Sequence, residues 1–329
     1  MRKMASIKTI KDIKNIENSD TLALATIDGW GVVVKRDEYQ IGDMVIYCEI
    51  DSWIPTEIAP FLTKGKTPKE YLGMKGERLK TIRLRGTLSQ GLILSTNILK
   101  KDFIQDQDVS EELGITKWEP PLDTNLSGLA KGNFPIEINK TDETRIQNFN
   151  DYDELRKYKY VVHEKLEGSS VTIYKKNGEF GVCSRNIDLK ETEDNTYWRV
   201  VRELQIEEKL KDYDNIAIQG ELIGPGIQGN IYKLNSFKIY FFNIWNIEQR
   251  SYYSVNSQYD FFTNLNLQEV PLIEVDMVLP EDRKNLLTFS DGMSQLYKTP
   301  REGLVFRAID APTYVSFKVV SNEYLLGQK

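Results

Sequence analysis

Val161-Val162-His163-Glu164-Lys165-Leu166-Glu167-Gly168-Ser169-Ser170 is the stretch that decides the fold. Its apolar opening predicts a strand, and that strand delivers a lysine into a turn. Acidic residues flank Lys165 on both sides, and a glycine follows three residues on. A Lys-x-x-Gly tetrapeptide alone carries little weight, since Lys175 to Gly178 repeats it at an ordinary hairpin turn. The weight comes from what the rest of the chain brings to Lys165.

Downstream, Val171-Thr172-Ile173-Tyr174 alternates up to Asn177-Gly178, the strongest short hairpin signal, and Gly181-Val182-Cys183-Ser184-Arg185-Asn186 returns. A two-residue turn sets Lys176 opposite Glu179, and the same register predicts Arg185 opposite Ser170, near Lys165. Residues 189–213 carry Tyr197, Val201, Leu204 and Leu210 on a rough apolar stripe and are expected to be helical. Ile216-Ala217-Ile218-Gln219-Gly220 predicts a buried strand running into Glu221. The glycine-rich loop Gly224-Pro225-Gly226-Ile227-Gln228-Gly229-Asn230 lacks the Gly-Lys-Ser/Thr ending of a P-loop. Phe237 to Trp245 predicts an aromatic strand, mostly core. Glu302 stands at the mouth of another strand, Gly303-Leu304-Val305-Phe306-Arg307. Lys318 lies inside the apolar run Ser316 to Ser321, where a lysine is not ordinary surface decoration.

Upstream, residues 1–118 predict an all-β module, with an OB-like barrel as the expected form. Leu22 to Ile27 and Trp30 to Lys35 alternate on either side of Asp28-Gly29, and Met44 to Ile50 is a further apolar strand. Lys75, Arg78, Lys80, Arg83 and Arg85 then gather with Glu77 as the only acid among them. Alternation with Ile82 and Leu84 predicts Arg83 and Arg85 on one strand face, with a turn between Gly86 and Gly91. This stretch is either a solvated face or, with Lys80, Arg83 and Arg85, a groove that tracks a nucleic-acid backbone. Residues 104–113 predict a short helix. Trp118-Glu119-Pro120-Pro121 ends regular structure, residues 119–133 form the expected linker, and residues 134–329 the second domain. Thr141 with its following acids is an acceptable helix start. The fold class is therefore α+β: an all-β barrel, then a domain of mostly antiparallel sheets with flanking helices.

Composition narrows the function classes. The 329 residues are 40% hydrophobic and 28% charged, without repeats. Two cysteines and one histidine exclude a disulfide framework, a histidine-based zinc site and a histidine triad. No apolar run approaches the roughly 20 residues that span a bilayer, so a cytoplasmic protein with no membrane partner is expected. With 43 basic and 49 acidic residues the net charge is −6, so any nucleic-acid surface must be local.

Taken together, Lys165, Glu167, Arg185, Glu221, Glu302 and Lys318 each stand at a strand end, in the turn beside it or inside a strand. A lysine with an ordinary pKa near 10.4 is protonated and cannot attack, so it needs a nearby cation or burial. Carboxylates at Glu167, Glu221 and Glu302 can hold Mg²⁺ on an α-phosphate, and Lys318 and Arg185 can stabilise charge on the transferring group. This is the equipment for nucleotidyl transfer through a lysine phosphoramidate. Schiff-base chemistry also uses a lysine but has no need of three carboxylates and a second strand lysine.

The ordered set resembles the covalent nucleotidyltransferase superfamily of ATP-dependent ligases and mRNA capping enzymes. Lys165-Leu166-Glu167-Gly168 resembles its nucleophile motif, Ser184-Arg185-Asn186 its arginine motif and Gln219-Gly220-Glu221-Leu222 its third. Phe242-Asn243-Ile244 resembles the strand whose Phe stacks on the purine; Glu302-Gly303-Leu304-Val305 and Phe317-Lys318-Val319 resemble the last two motifs. The whole chain is similar to the RNA ligases with an N-terminal OB domain found in Deinococcus and Naegleria, which Thr141 to Asn148 and the Gly224 to Asn230 loop also fit.

That resemblance implies an ATP-dependent RNA ligase acting in RNA repair, with ATP as AMP donor and Mg²⁺ or Mn²⁺ as cofactor. Its substrate would be RNA with 3′-OH and 5′-phosphate ends, including a nicked duplex, and the enzyme a monomer. Lys165 would take AMP from ATP and pass it to the 5′-phosphate, and the 3′-OH would then displace it. Nucleotide contacts would come from Glu164, Lys165, Gly168, Arg185, Glu221, Phe242, Glu302, Lys318 and Arg145. Two departures stand out: Glu167 replaces the more usual Asp, and Ser316 stands where many relatives have a second lysine. A DNA ligase or capping guanylyltransferase uses the same lysine but generally carries its OB domain after the catalytic domain, whereas here the barrel precedes it. A nucleic-acid-binding protein with an inactive transferase domain is the remaining alternative.

Overall fold

A computed structural model of the chain describes residues 2–17, 19–119 and 128–327. They group into two compact units. Residues 2–119 form the first with Gln147–Asn150, a segment expected with the second domain; residues 128–146 and 151–327 form the second. Of the expected linker, residues 120–127, including Pro120 and Pro121, lie outside the described residues, and its end, Ala130–Asn133, is a strand.

The first unit is all-β between short 3₁₀ turns. Met44–Cys48 is the centre of a three-stranded sheet between Ala5–Thr9 and Leu92–Ser95. Leu22–Ile27 and Trp30–Lys35 pair across Asp28-Gly29, with Ile27 opposite Trp30 and Asp28 at φ 50°. Strict alternation buries Ala23, Ala25 and Ile27 from one strand and Trp30, Val32 and Val34 from the other. Ile7, Ile46, Cys48, Ile54 and Leu79 meet Val109 and Leu113 in one core. The last two come from the stretch expected to be helical, and it is not a helix. Asp106 takes φ 64° and Gly114 φ 62°, so the chain turns repeatedly while still burying Val109 and Leu113.

The second unit is built on two antiparallel sheets. The larger runs Ala130–Asn133, Ile187–Leu189, Glu179–Cys183, Ser169–Lys176, Ile216–Ile223, Lys238–Asn246 and Ser251–Tyr252. The smaller runs Leu272–Val278, Lys159–Lys165, Gly303–Ala308 and Ser316–Val320. Asn177 and Gly178 turn the predicted hairpin at φ 50° and 79°, with Lys176 opposite Glu179.

The expected helix over 189–213 is shorter and broken. Ile187–Leu189 is a strand; Asn195 then caps Thr196–Glu203 by accepting from the Tyr197 and Trp198 N–H groups. Gln205, at φ 53°, breaks it from Ile206–Lys209. Tyr197, Val201 and Leu210 do lie in the core against the larger sheet. Thr141 starts no helix. Its hydroxyl meets that of Ser170 at 2.8 Å, and only Ile146–Asn148 coils, as a 3₁₀ turn. Among the described residues no helix is long and apolar enough to cross a membrane.

Candidate active site

Lys165 ends its strand directly opposite Gly303, and that register brings its Nζ to 2.6 Å from Glu302 Oε1. Gly303, at φ 155°, has to be glycine: a Cβ there would lie 2.3 Å from the Val319 carbonyl oxygen. Glu302 is held from both sides. Its carbonyl accepts from the Ser321 N–H at 2.9 Å, and the neighbouring Arg301 guanidinium donates to the carbonyls of Phe289, Ser290 and Asp291.

Glu221 comes from the larger sheet, where it sits opposite Ser170. Burial pushes its carboxyl up to about 8; the nearby Glu302 charge acts the same way, while Lys165, Arg185 and the Gly168 N–H oppose it. Gly168 is what allows this approach. A Cβ there would stand 2.6 Å from the Leu222 carbonyl oxygen and 2.8 Å from Glu221 Cγ. Lys165, Glu221 and Glu302 are thus one electrostatic group, two carboxylates around one amine.

Glu167 does not join them. Its backbone N–H donates to the Tyr232 hydroxyl at 2.7 Å and its Oε1 accepts from the Gly229 N–H at 3.3 Å, so it is turned toward the glycine-rich loop. Among the described residues no three acidic, histidine or cysteine side chains are spaced to hold a metal ion. Of the three carboxylates expected to hold a metal, the structure gathers Glu221 and Glu302 around Lys165 and turns Glu167 to the loop. Two hard oxygen donors suit a Mg²⁺- or Mn²⁺-class ion that keeps waters or phosphate oxygens as its other ligands.

Lys318 lies opposite Val305, and its N–H donates to the Thr144 carbonyl at 2.8 Å. A parallel bridge pairs it with Arg145, which is buried. Ser316, in place of the family's second lysine, hydrogen-bonds Glu143.

Arg185 departs from its expected register. The hairpin ladder ends at the Thr172–Cys183 pair because the Ser184 N–H turns back to the Ile187 carbonyl. Arg185 instead grips Asp142 with bonds of 2.8 and 2.9 Å, while still contributing its charge at Glu221.

Phe242 is half-buried on the Lys238–Asn246 strand, with the Arg307 guanidinium 5.8 Å from its ring centre. Glu164, one residue from Lys165, leaves the opposite face of the strand. It is buried, burial raises its pKa, and its Oε2 accepts from the Gln295 N–H at 2.8 Å. Two residues that motif matching passes over, His163 and Arg307, lie on the Lys165 face; strand alternation, counted two and four residues along, would have found both.

In the first unit, Arg78 is paired with Asp51 and lies 3.9 Å over the Trp118 ring, so it is a structural cation. Arg83 and Arg85 do not share a strand face. Leu84 pairs with Thr87, so Arg85 and Gly86 are themselves the turn, and Arg83 donates to the Gly86 carbonyl at 3.1 Å. Lys80 is lowered in pKa by burial first, then by the neighbouring charges of Arg78 and Lys69. The stretch is thus locally basic.

Against known proteins, a family model described as an OB-fold domain matches residues 4–96, and one described as RNA ligase matches residues 158–320. None of the curated proteins matches the sequence. Among solved structures, Naegleria gruberi RNA ligase with PPi superposes with a TM-score of 0.91 at 40% identity, covering 99% of this chain and 98% of that one. A mutant of the same ligase with AMP and Mn gives a TM-score of 0.91 at 39% identity over 98% of each chain. Another mutant, with ATP and Mn, gives 0.90 at 39% over 98% of each. The first unit is accordingly an OB fold.

Proposed function

The chain belongs to the RNA ligase family, and on that premise we propose that Lys165 is its AMP-carrying nucleophile and Glu221, Glu302, Lys318, Arg145 and Arg185 its electrostatic frame. It is an ATP-dependent RNA ligase. The observation that carries the residue assignment is the Lys165 amine held 2.6 Å from Glu302, with Glu221 beside both.

Lys165 Nζ attacks the ATP α-phosphorus; a P–N bond forms, the bond to the β-phosphate oxygen breaks, and pyrophosphate leaves. A 5′-phosphate oxygen then attacks the same phosphorus, releasing the amine and leaving AMP on the RNA end. The 3′-OH attacks the 5′-phosphorus, AMP departs, and the phosphodiester is closed. Lys318 and Arg145, joined by their bridge, counter charge on the transferring phosphate, and Arg185 supports them from its Asp142 anchor. Phe242 stacks on the adenine, Glu164 anchors the Gln295 loop on the other face of the Lys165 strand, and Gly168 lets the strand carrying Glu221 lie close to the lysine turn.

A divalent cation on Glu221 and Glu302 would neutralise charge on the α-phosphate. Glu221 and Glu302 would be the residues that hold it; with its carboxylate so engaged, Glu302 would no longer pair with Lys165, whose ammonium has to lose a proton to water before the amine attacks. ATP, with Mg²⁺ or Mn²⁺, is the cofactor set; the relatives' structures with ATP or AMP and Mn support it. The substrate is RNA bearing a 3′-OH and a 5′-phosphate, a nicked duplex among its forms, bound through Lys80, Arg83 and Arg85 of the OB fold. We place the enzyme in the cytoplasm, as a monomer acting in RNA repair.

Sealing tests this directly. A nicked RNA duplex with a 5′-phosphate should be joined in the presence of ATP and Mg²⁺, and the same nick with a 5′-OH should not. Equal joining of both ends would contradict the route.

A further inference from the structure

Register places a further side chain in the nucleotide cleft. Across the smaller sheet, directly opposed residues form rows: Lys165, Gly303 and Val320; then His163, Val305 and Lys318; then Val161, Arg307 and Ser316. Rows two residues apart leave the same face. The face that carries Lys165 and Lys318 therefore also carries His163, with Val305 between His163 and Lys318. Arg307, one row further, closes the cleft against the larger sheet: its Nε donates to Asn243 Oδ1 at 3.1 Å and its guanidinium lies 5.8 Å from the Phe242 ring centre.

His163 Nδ1 is buried and has no hydrogen-bond partner among the described residues. A buried polar nitrogen left unpaired costs free energy, so such an atom facing a ligand cleft points to a ligand atom. The ring is neutral: burial, and after it the Arg307 charge, holds its pKa down to about 3. With its proton on Nε2, a neutral imidazole offers Nδ1 as an acceptor, and the Arg307 cation opposes a second proton.

We infer that His163 reads the base: its Nδ1 accepts a hydrogen bond from the 6-amino group of a purine seated between Phe242 and Val305, and so selects adenine over a 6-keto purine. The inference rests on the proposed nucleotide site. An amino group satisfies the acceptor, whereas a keto oxygen in the same place repels it and leaves Nδ1 unpaired.

The test compares self-nucleotidylation by ATP and by ITP, which differ at position 6, in wild type, His163→Val and His163→Gln. Wild type should favour ATP, and His163→Val should reduce the ATP-to-ITP ratio of kcat/KM by about tenfold, most of it lost on the ATP side. His163→Gln, whose amide oxygen can accept the same bond, should keep more of the preference. An unchanged ratio in both variants overturns the inference, including when both rates fall together, as they would for a purely structural residue. A second readout needs no substitution, because His163 is the only histidine. Its ring ¹⁵N resonances should report an Nδ1 hydrogen bond in the adenylylated protein and none in the inosinylated one; identical spectra overturn it. Failure of wild type to take up either nucleotide would contradict the covalent step itself, a different result from loss of discrimination.

Discussion

Lys165 Nζ and Glu302 Oε1, 137 residues apart in sequence, meet at 2.6 Å because the strand ending at Lys165 lies directly against the strand that Glu302 opens. This contact joins the proposed nucleophile to one of the two carboxylates proposed to hold a cation, so on this reading releasing the amine and binding the metal would be linked.

Glu302→Gln should slow self-adenylylation by about 10²-fold, because the charge that positions the amine and holds the cation is lost together. The fold should survive, since the pair is partly solvated and contributes little stability. Single-turnover labelling alongside a denaturation curve separates the two. Wild-type rates in Glu302→Gln would remove this contact from the chemistry.

Glu221 sets a pH dependence. Its folded pKa is raised to about 8 from 4.5, so the native state binds the extra proton, and stability is lost as pH rises from about 4.5 through 8. Metal-free enzyme should therefore be less stable at pH 8.5 than at pH 5 by this group's share, and Glu221→Gln should flatten that part of the slope. Mg²⁺ should stabilise wild type most at the alkaline end, where the carboxylate is free to bind it. Denaturation midpoints with and without Mg²⁺ at the two pH values measure it.

Gly168→Ala tests the close approach behind the lysine motif. The added Cβ meets the Leu222 carbonyl oxygen and Ile223 Cγ2 at 2.6 Å, so the strand carrying Glu221 must shift. A loss of about 1–3 kcal/mol in stability is expected, with self-adenylylation reduced tenfold or more. Chemical denaturation and labelling of the same preparation would show it.

Arg85 offers a separation of stability from function. It occupies a turn position at φ 50°, which suits Asn or Gly better than Arg. Arg85→Asn should be neutral or stabilising by up to about 1 kcal/mol, while lowering the salt dependence of RNA binding by about one phosphate contact. Arg83→Ala with Arg85→Ala should weaken sealing at moderate salt and spare self-adenylylation. Unchanged sealing would remove this hairpin from the RNA surface.

What the sequence made legible follows from how local each signal is. Asn177-Gly178 and Asp28-Gly29 specify turns within two residues, and both turns form where expected. Lys165, Glu221, Glu302 and Lys318 each sit on or beside a strand that its own apolar residues predict. Arg185 was misplaced because the ladder stops at Cys183, where Ser184 finds Ile187 instead. Arg85 was misplaced because Arg85-Gly86 turns the chain one step before the glycine-marked stretch suggested. That Glu167 faces the glycine-rich loop is not legible locally, because the contact comes from 62 residues away. His163 and Arg307 lie two and four residues along their own strands from Lys165 and Gly303, within reach of alternation; that those two strands are neighbours is what no local pattern carries.

Intact mass after incubation with ATP and Mg²⁺, for wild type and Lys165→Ala first stripped with pyrophosphate, tests the central claim most directly. Wild type should gain the mass of one AMP, and Lys165→Ala should gain nothing. No gain in stripped wild type, or an equal gain in Lys165→Ala, would contradict Lys165 as the nucleophile.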